Sequence, residues 1–182
     1  TAKGAALGTG TTMDFEMIGG THELLPNDVL QELMHKSLSQ VGGFDYTTKE
    51  NEFAKSIAET LGKPLNMAFV NGVEPYDPNA LPMGSTDVGD VSFTVPTAGM
   101  GAATWVPGTP AHSWQAVAAG GTSIGNKGML VAAKTLALTA FKLLDNPKIM
   151  EEAHAEFLEK RGADFKYIPL LGDRSPALDY RN

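Results

Sequence analysis

The stretch Met129-Leu-Val-Ala-Ala-Lys-Thr-Leu-Ala-Leu-Thr-Ala-Phe-Lys-Leu-Leu144 carries most of the information about the fold. Met129, Leu130, Ala133, Leu136, Ala137, Ala140, Phe141 and Leu144 recur at helical spacing and make one broad apolar face. The pattern predicts a helix that starts near Asn126, and so wide a face predicts its burial against a sheet. Lys134 and Lys142 interrupt the run, which is also short for a bilayer span. Downstream, Asn146 and Pro147 open a further helix with proline at its first position. Ile149, Met150, Ala153 and Phe157 form its stripe, Gly162 stops it, and residues 165–171 read as a short closing strand.

Upstream lie two long stretches rich in Gly and Pro, residues 65–101 and 104–128. Irregular segments of that length mark a functional site or a surface lacking its partner. Within the first, Val91, Phe93 and Val95 alternate as a strand would. Two helices precede it. Asp28 and Gln31 have capping-box spacing ahead of the stripe Leu30, Leu33, Met34, Leu38 and Val41, which Gly42 and Gly43 end. Thr47 and Glu50 repeat the box ahead of Phe53, Ile57 and Leu61, and Gly62 with Pro64 stops that helix. Residues 11–18 alternate, with Met13, Phe15 and Met17 apolar, and predict a half-buried antiparallel strand. No internal repeat is visible.

Composition narrows the function. The 182 residues suffice for one domain with a core, and 42% hydrophobic with 19% charged residues is an ordinary globular balance. The absence of cysteine excludes disulfides, thiol nucleophiles and Cys-ligated metals. A net charge of -7 and a pI near 5.0 speak against a phosphate-binding surface, so nucleic acid is not an expected partner. No signal-peptide pattern opens the chain and no membrane span follows, so a cytoplasmic location is expected. The first residue is Thr1 and not Met, so an upstream start of the protein is expected too.

Two segments stand out chemically. His112 sits in Pro107-Gly-Thr-Pro-Ala-His-Ser-Trp114, a loop of small and rigid residues that suits a metal-ligating imidazole oriented by its surroundings. Gly84-Ser85-Thr86-Asp87-Val88-Gly89-Asp90 offers glycines for close backbone approach and carboxylates for a His or a cation; its plainer reading is a polar turn. The other histidines are weaker. Glu32 with His35 and Glu151 with His154 have di-iron-bundle spacing, but the glycines, loops and strands do not suit a long four-helix bundle. His35 falls well off its helix's apolar stripe and is expected to face water. His22-Glu23 lacks the second His of a His-Glu-x-x-His site. Gly120 to Gly128 misses the phosphate-loop spacing, and Ser85 and Ser123 lack a nucleophile elbow.

Three longer strings resemble a known family: Gly84-Ser-Thr-Asp-Val-Gly-Asp-Val-Ser-Phe93, Thr104-Trp-Val-Pro-Gly-Thr-Pro-Ala-His-Ser-Trp-Gln115 and Gly120-Gly-Thr-Ser-Ile-Gly-Asn-Lys-Gly-Met129. In order and composition they resemble signatures of the zinc amidohydrolases of aminoacylase and carboxypeptidase-G type, in the branch acting on aminobenzoyl-glutamate. The resemblance implies an α/β catalytic domain, a sheet flanked by helices, with a smaller lid and dimerisation domain inserted in it. Residues 1–20 would end that lid and residues 21–182 would form the C-terminal part of the catalytic domain. It implies two zinc ions, or another divalent metal such as Mn, a metal-activated water and a small N-acyl or aminobenzoyl amino acid as substrate. His112 matches the family's late zinc ligand, and Gly84, Ser85, Thr86 and Asp87 fall where substrate-side or supporting residues are expected. The family's remaining ligands and its general base have no counterpart in this sequence, so the chain alone is expected to be inactive. A homo-oligomer, or pairing with a related subunit, is the implied assembly; a non-catalytic interaction protein derived from the same fold is the alternative.

Overall fold

A computed structural model describes residues 1–80, 84, 86–171, 175 and 178. Among these it contains eight helices: α1 (Ala2–Thr9), α2 (Asp28–Val41), α3 (Thr48–Leu61), α4 (Ala68–Asn71), α5 (Val88–Ser92), α6 (Trp114–Gly120), α7 (Ser123–Asp145) and α8 (Pro147–Arg161). No strand forms among the described residues, so the α/β class with a sheet flanked by helices is corrected to an all-helical one.

The physical reason is pairing. An extended run is stable only when a neighbour takes up its N–H and C=O groups. The three segments read as strands find no such neighbour among the described residues. Residues 11–18 are irregular, with Phe15 and Met17 turned to solvent. Residues 91–95 close helical turns instead, Phe93 N–H donating to Gly89 O at 3.1 Å and Val95 N–H to Val91 O at 3.0 Å. Residues 165–171 form no ladder, and Phe165 packs its ring 5.1 Å from that of Phe93.

The four helices expected from the sequence, α2, α3, α7 and α8, all form, the starts of α2 and α7 shifted, while α1, α4 and α6 lie where no helix is expected and α5 overlaps the expected 91–95 strand. Thr47 and Glu50 form a complete capping box: Glu50 N–H donates to Thr47 Oγ1 at 3.3 Å and Thr47 N–H to Glu50 Oε2 at 2.6 Å. On α2 the cap is Asn27 rather than Asp28, its Oδ1 accepting from Leu30 N–H at 3.0 Å. Asp28 turns instead to Lys160 on α8, at 2.7 Å. Gly62 ends α3 in the left-handed region at φ 61, as a glycine stop requires. The long helix begins before Asn126, with Thr122 as its cap.

The core lies where α3, α6 and the first turns of α7 converge on Tyr46, Val70 and Val106, with Ala54, Ile57, Ala119 and Ile124 closing it. α2 packs against α7 and α8. Gly128 allows α7 to touch the preceding loop, since a Cβ there would strike the carbonyl of Ala103. The side of α7 that faces α2 carries the buried hydroxyls of Thr135 and Thr139, each returned to a carbonyl of its own helix at 2.8 Å. Its apolar face does not meet a sheet. Met129, Leu130, Leu136, Phe141 and Leu144 are all exposed.

Candidate functional site

The loop ahead of α5 is held from below by residues distant in sequence. Gly84 has φ 152, which glycine reaches freely, and Thr86 Oγ1 accepts from Val88 N–H at 3.2 Å. Ser92 Oγ donates to Gly89 O at 2.6 Å and accepts from Leu25 N–H at 2.8 Å, tying α5 to residues 22–25. The His22 ring lies 5.0 Å from Phe93, 5.9 Å from Phe165 and 5.7 Å from Tyr167. Its buried Nε2 finds no hydrogen-bond partner among the described residues. The Tyr167 hydroxyl donates to Asp90 at 3.0 Å, a bond that raises the phenol above its ordinary pKa. Asp87 starts α5 without capping it and lies exposed. Ser85 lies outside the described residues.

His112 occupies a second loop. Val106, at the loop's base, is buried in the core, and Thr109 N–H donates to its carbonyl at 3.1 Å. Ser113 Oγ donates to Pro110 O at 2.7 Å and caps α6 by accepting from Ala116 N–H at 3.2 Å. His112, clamped between those two residues, takes φ 58 and presents an exposed ring. It alone among the described non-glycine residues has a positive φ. The left-handed conformation costs a non-glycine residue about 1 kcal/mol, and such strain concentrates at functional positions.

Gly84, Thr86 and Asp87 therefore share one turn, while His112 stands on another loop, and no hydrogen bond or ion pair joins the two among the described residues. A metal centre needs three or more protein ligands. No cluster of three His, Asp or Glu side chains able to hold one forms among the described residues, so these residues do not by themselves fit a zinc site.

A cleft of about 900 Å³ opens between α2, residues 69–80 and residues 99–109. Gln31, His35, Phe44, Phe69, Tyr76 and Trp105 line it with Glu74 and Asp77, and no Lys or Arg does among the described residues. His35, expected to face water, is half-buried there: its Nε2 lies 3.0 Å from Glu74 O and its ring 5.5 Å from that of Tyr76. His112, Thr86 and Asp87 are outside the lining. The Glu32 and Glu151 motifs build nothing: Glu32 pairs with Lys36 at 3.1 Å, and the His154 ring lies 6.0 Å from Phe157.

Where the starts of α3 and α7 meet lies a charged knot. Glu50 accepts from Lys127 Nζ and from Ser123 Oγ, both at 2.6 Å, and Lys127 also donates to Asp45 O at 2.9 Å. Burial pushes the Glu50 carboxyl up, but donors from Lys127, Ser123 and Thr47 outweigh it and bring its pKa down to about 2. Burial and the nearby Glu50 charge drive Tyr46 up to about 12. The knot anchors the start of α7, and with Lys127 bound to a carboxylate it offers no free base.

Sequence reasoning missed His22 and Tyr167 as supports of the 84–87 loop. The link between Leu25 and Ser92 spans 67 residues, and no local pattern encodes it. No helix among the described residues is long and apolar enough to cross a membrane. No family model matches the chain, and no solved structure matches it. A p-aminobenzoyl-glutamate hydrolase subunit of Escherichia coli (strain K12) is 33% identical over 97% of this chain. The chain spans 42% of that relative's length. Along nearly its whole length, then, this sequence is similar to a part of a p-aminobenzoyl-glutamate hydrolase subunit.

Proposed function

We propose that this chain is the C-terminal part of an amidohydrolase that cleaves N-acyl or aminobenzoyl amino acids of the aminobenzoyl-glutamate kind, and that His112 is one of its metal ligands. The observation that carries the reading is the similarity to a protein named as a hydrolase subunit over 97% of the chain, which includes the strained, outward-facing His112. A ring held exposed at φ 58, on a loop pinned by Pro110 and Ser113, is already placed to meet a ligand from outside this chain. Since the described residues form no three-ligand cluster, the other zinc ligands and the general base belong to polypeptide beyond this sequence. Gly84, Ser85, Thr86 and Asp87 serve as substrate-side or supporting residues. In this reading residues 1–20 close an inserted lid domain, and residues 21–182 belong to the catalytic domain. The assembly is a homo-oligomer or a pair with a related subunit, in the cytoplasm.

The test is turnover and metal content of the polypeptide as its gene encodes it, with p-aminobenzoyl-glutamate as substrate. Release of p-aminobenzoate with about two bound zinc ions is expected. His112→Gly keeps a residue suited to φ 58, so the melting temperature of the metal-free protein stays level or rises, while metal content falls and turnover drops roughly a hundredfold or more. Full activity in that variant removes His112 from the site. A gene product with neither metal nor turnover favours the alternative, a non-catalytic interaction protein derived from the same fold.

A further inference from the structure

The two sides of α7 are inverted relative to those of an ordinary surface helix. Gly128, Thr135 and Thr139 face inward and are buried, with Met34 Sδ 3.5 Å from the Thr139 hydroxyl. Met129, Leu130, Leu136, Phe141 and Leu144, with Ala133, Ala137 and Ala140 between them, form the other side, and those five are all exposed, Phe141 at 62% and Leu144 at 77%. On a helix rising 1.5 Å per residue this apolar stripe runs for roughly 22 Å. A contiguous exposed apolar patch of that extent marks an interface. The small and hydroxyl-bearing inner side already has its neighbour in α2, so only the outer side is open.

We propose that the outer face of α7 is covered by an apolar surface from the rest of a longer polypeptide, one built like the hydrolase subunit that this chain matches in part. Length points to the occupant. The chain matches 42% of its relative, so more than half of that protein has no counterpart here. The inference rests on that alignment and on the reading of this chain as part of a longer protein, but not on the hydrolytic activity, and its test involves no turnover.

The chain contains no cysteine, so a single introduced thiol reports directly on burial. Leu136→Cys, and Ala133→Cys as the gentler substitution, are compared with Lys148→Cys on α8 in the polypeptide as its gene encodes it, using a maleimide. Labelling at 136 and 133 at least tenfold slower than at 148, at every protein concentration and in a monomer-sized fraction, is the expected result. Equal rates at the three positions overturn the proposal. Protection that appears only as concentration and mass rise together also overturns it, and assigns the face to a second copy of the chain.

Discussion

Glu50 and Glu156 are both carboxylates that close the start of a helix, yet they hold different kinds of joint. Glu50 caps its own helix and is buried, and it gathers Lys127 and Ser123 from α7. Glu156 sits on α8 and caps α2, accepting from Asp28 N–H at 2.7 Å and Val29 N–H at 3.0 Å, while Lys160 stands 2.7 Å away. Burial opposes ionisation at both, and hydrogen bonds win at both, so each carboxyl is held below its ordinary pKa. The difference is solvent. The Glu50 side chain is 7% exposed and that of Glu156 16%, and the second joint also takes in the half-exposed Asp28. The two joints therefore weigh unequally: the drier one, a single buried pair, is costly to break, and the wetter one, three charges shared with solvent, is more tolerant.

Removing Glu50 should have the largest effect. Glu50→Ala leaves Lys127 and Ser123 without their acceptor and is expected to destabilise by on the order of 3 kcal/mol, read from chemical denaturation. A loss near that of an exposed pair would abolish the contrast. Acid probes the same joint. The folded carboxyl titrates near 2 against an ordinary 4.5, so its stabilisation is complete above pH 4.5 and disappears as pH falls from there towards 2. The stability gap between wild type and Glu50→Ala should narrow across that window; a constant gap would mean that the carboxylate charge is not what matters.

Glu156→Gln should cost about 1 kcal/mol, because the amide oxygen still accepts one of the two N–H groups, while the other N–H and the partly solvated ion pair with Lys160 are lost. A larger loss in the same denaturation experiment would make the two joints alike. At the bottom of the scale, Lys36→Ala on α2 breaks an exposed i,i+4 pair with Glu32 and should change stability by only a few tenths of a kcal/mol.

The same split runs through what could be read in advance. Whatever depends on residues within a turn or two was legible: the Thr47–Glu50 box, the Gly62 stop, Pro147 at the head of α8. The position of the α2 cap was off by one residue, because Asp28 and Asn27 are both good caps and only Lys160, 132 residues away, draws Asp28 aside. The strands at 11–18, 91–95 and 165–171 failed for a related reason. Alternation states which side would be buried but not whether a partner strand exists. At the candidate site, His112 and the 84–87 loop were visible as motifs, whereas the His22 aromatic cluster beneath that loop was not, because its members lie far apart along the chain.

The sequence by itself determined the four longer helices α2, α3, α7 and α8, the stops of α2, α3 and α8 and the apolar stripe of α7, since these follow from backbone propensity and side-chain spacing; the short α1, α4, α5 and α6 it did not. Only the tertiary structure decided that the stripe faces outward, that His112 is strained and exposed, and that Glu50 lies at the hub of α3 and α7. Those outcomes depend on which surfaces meet. Burial and pKa are set by neighbours brought together across many residues, and no local pattern names them.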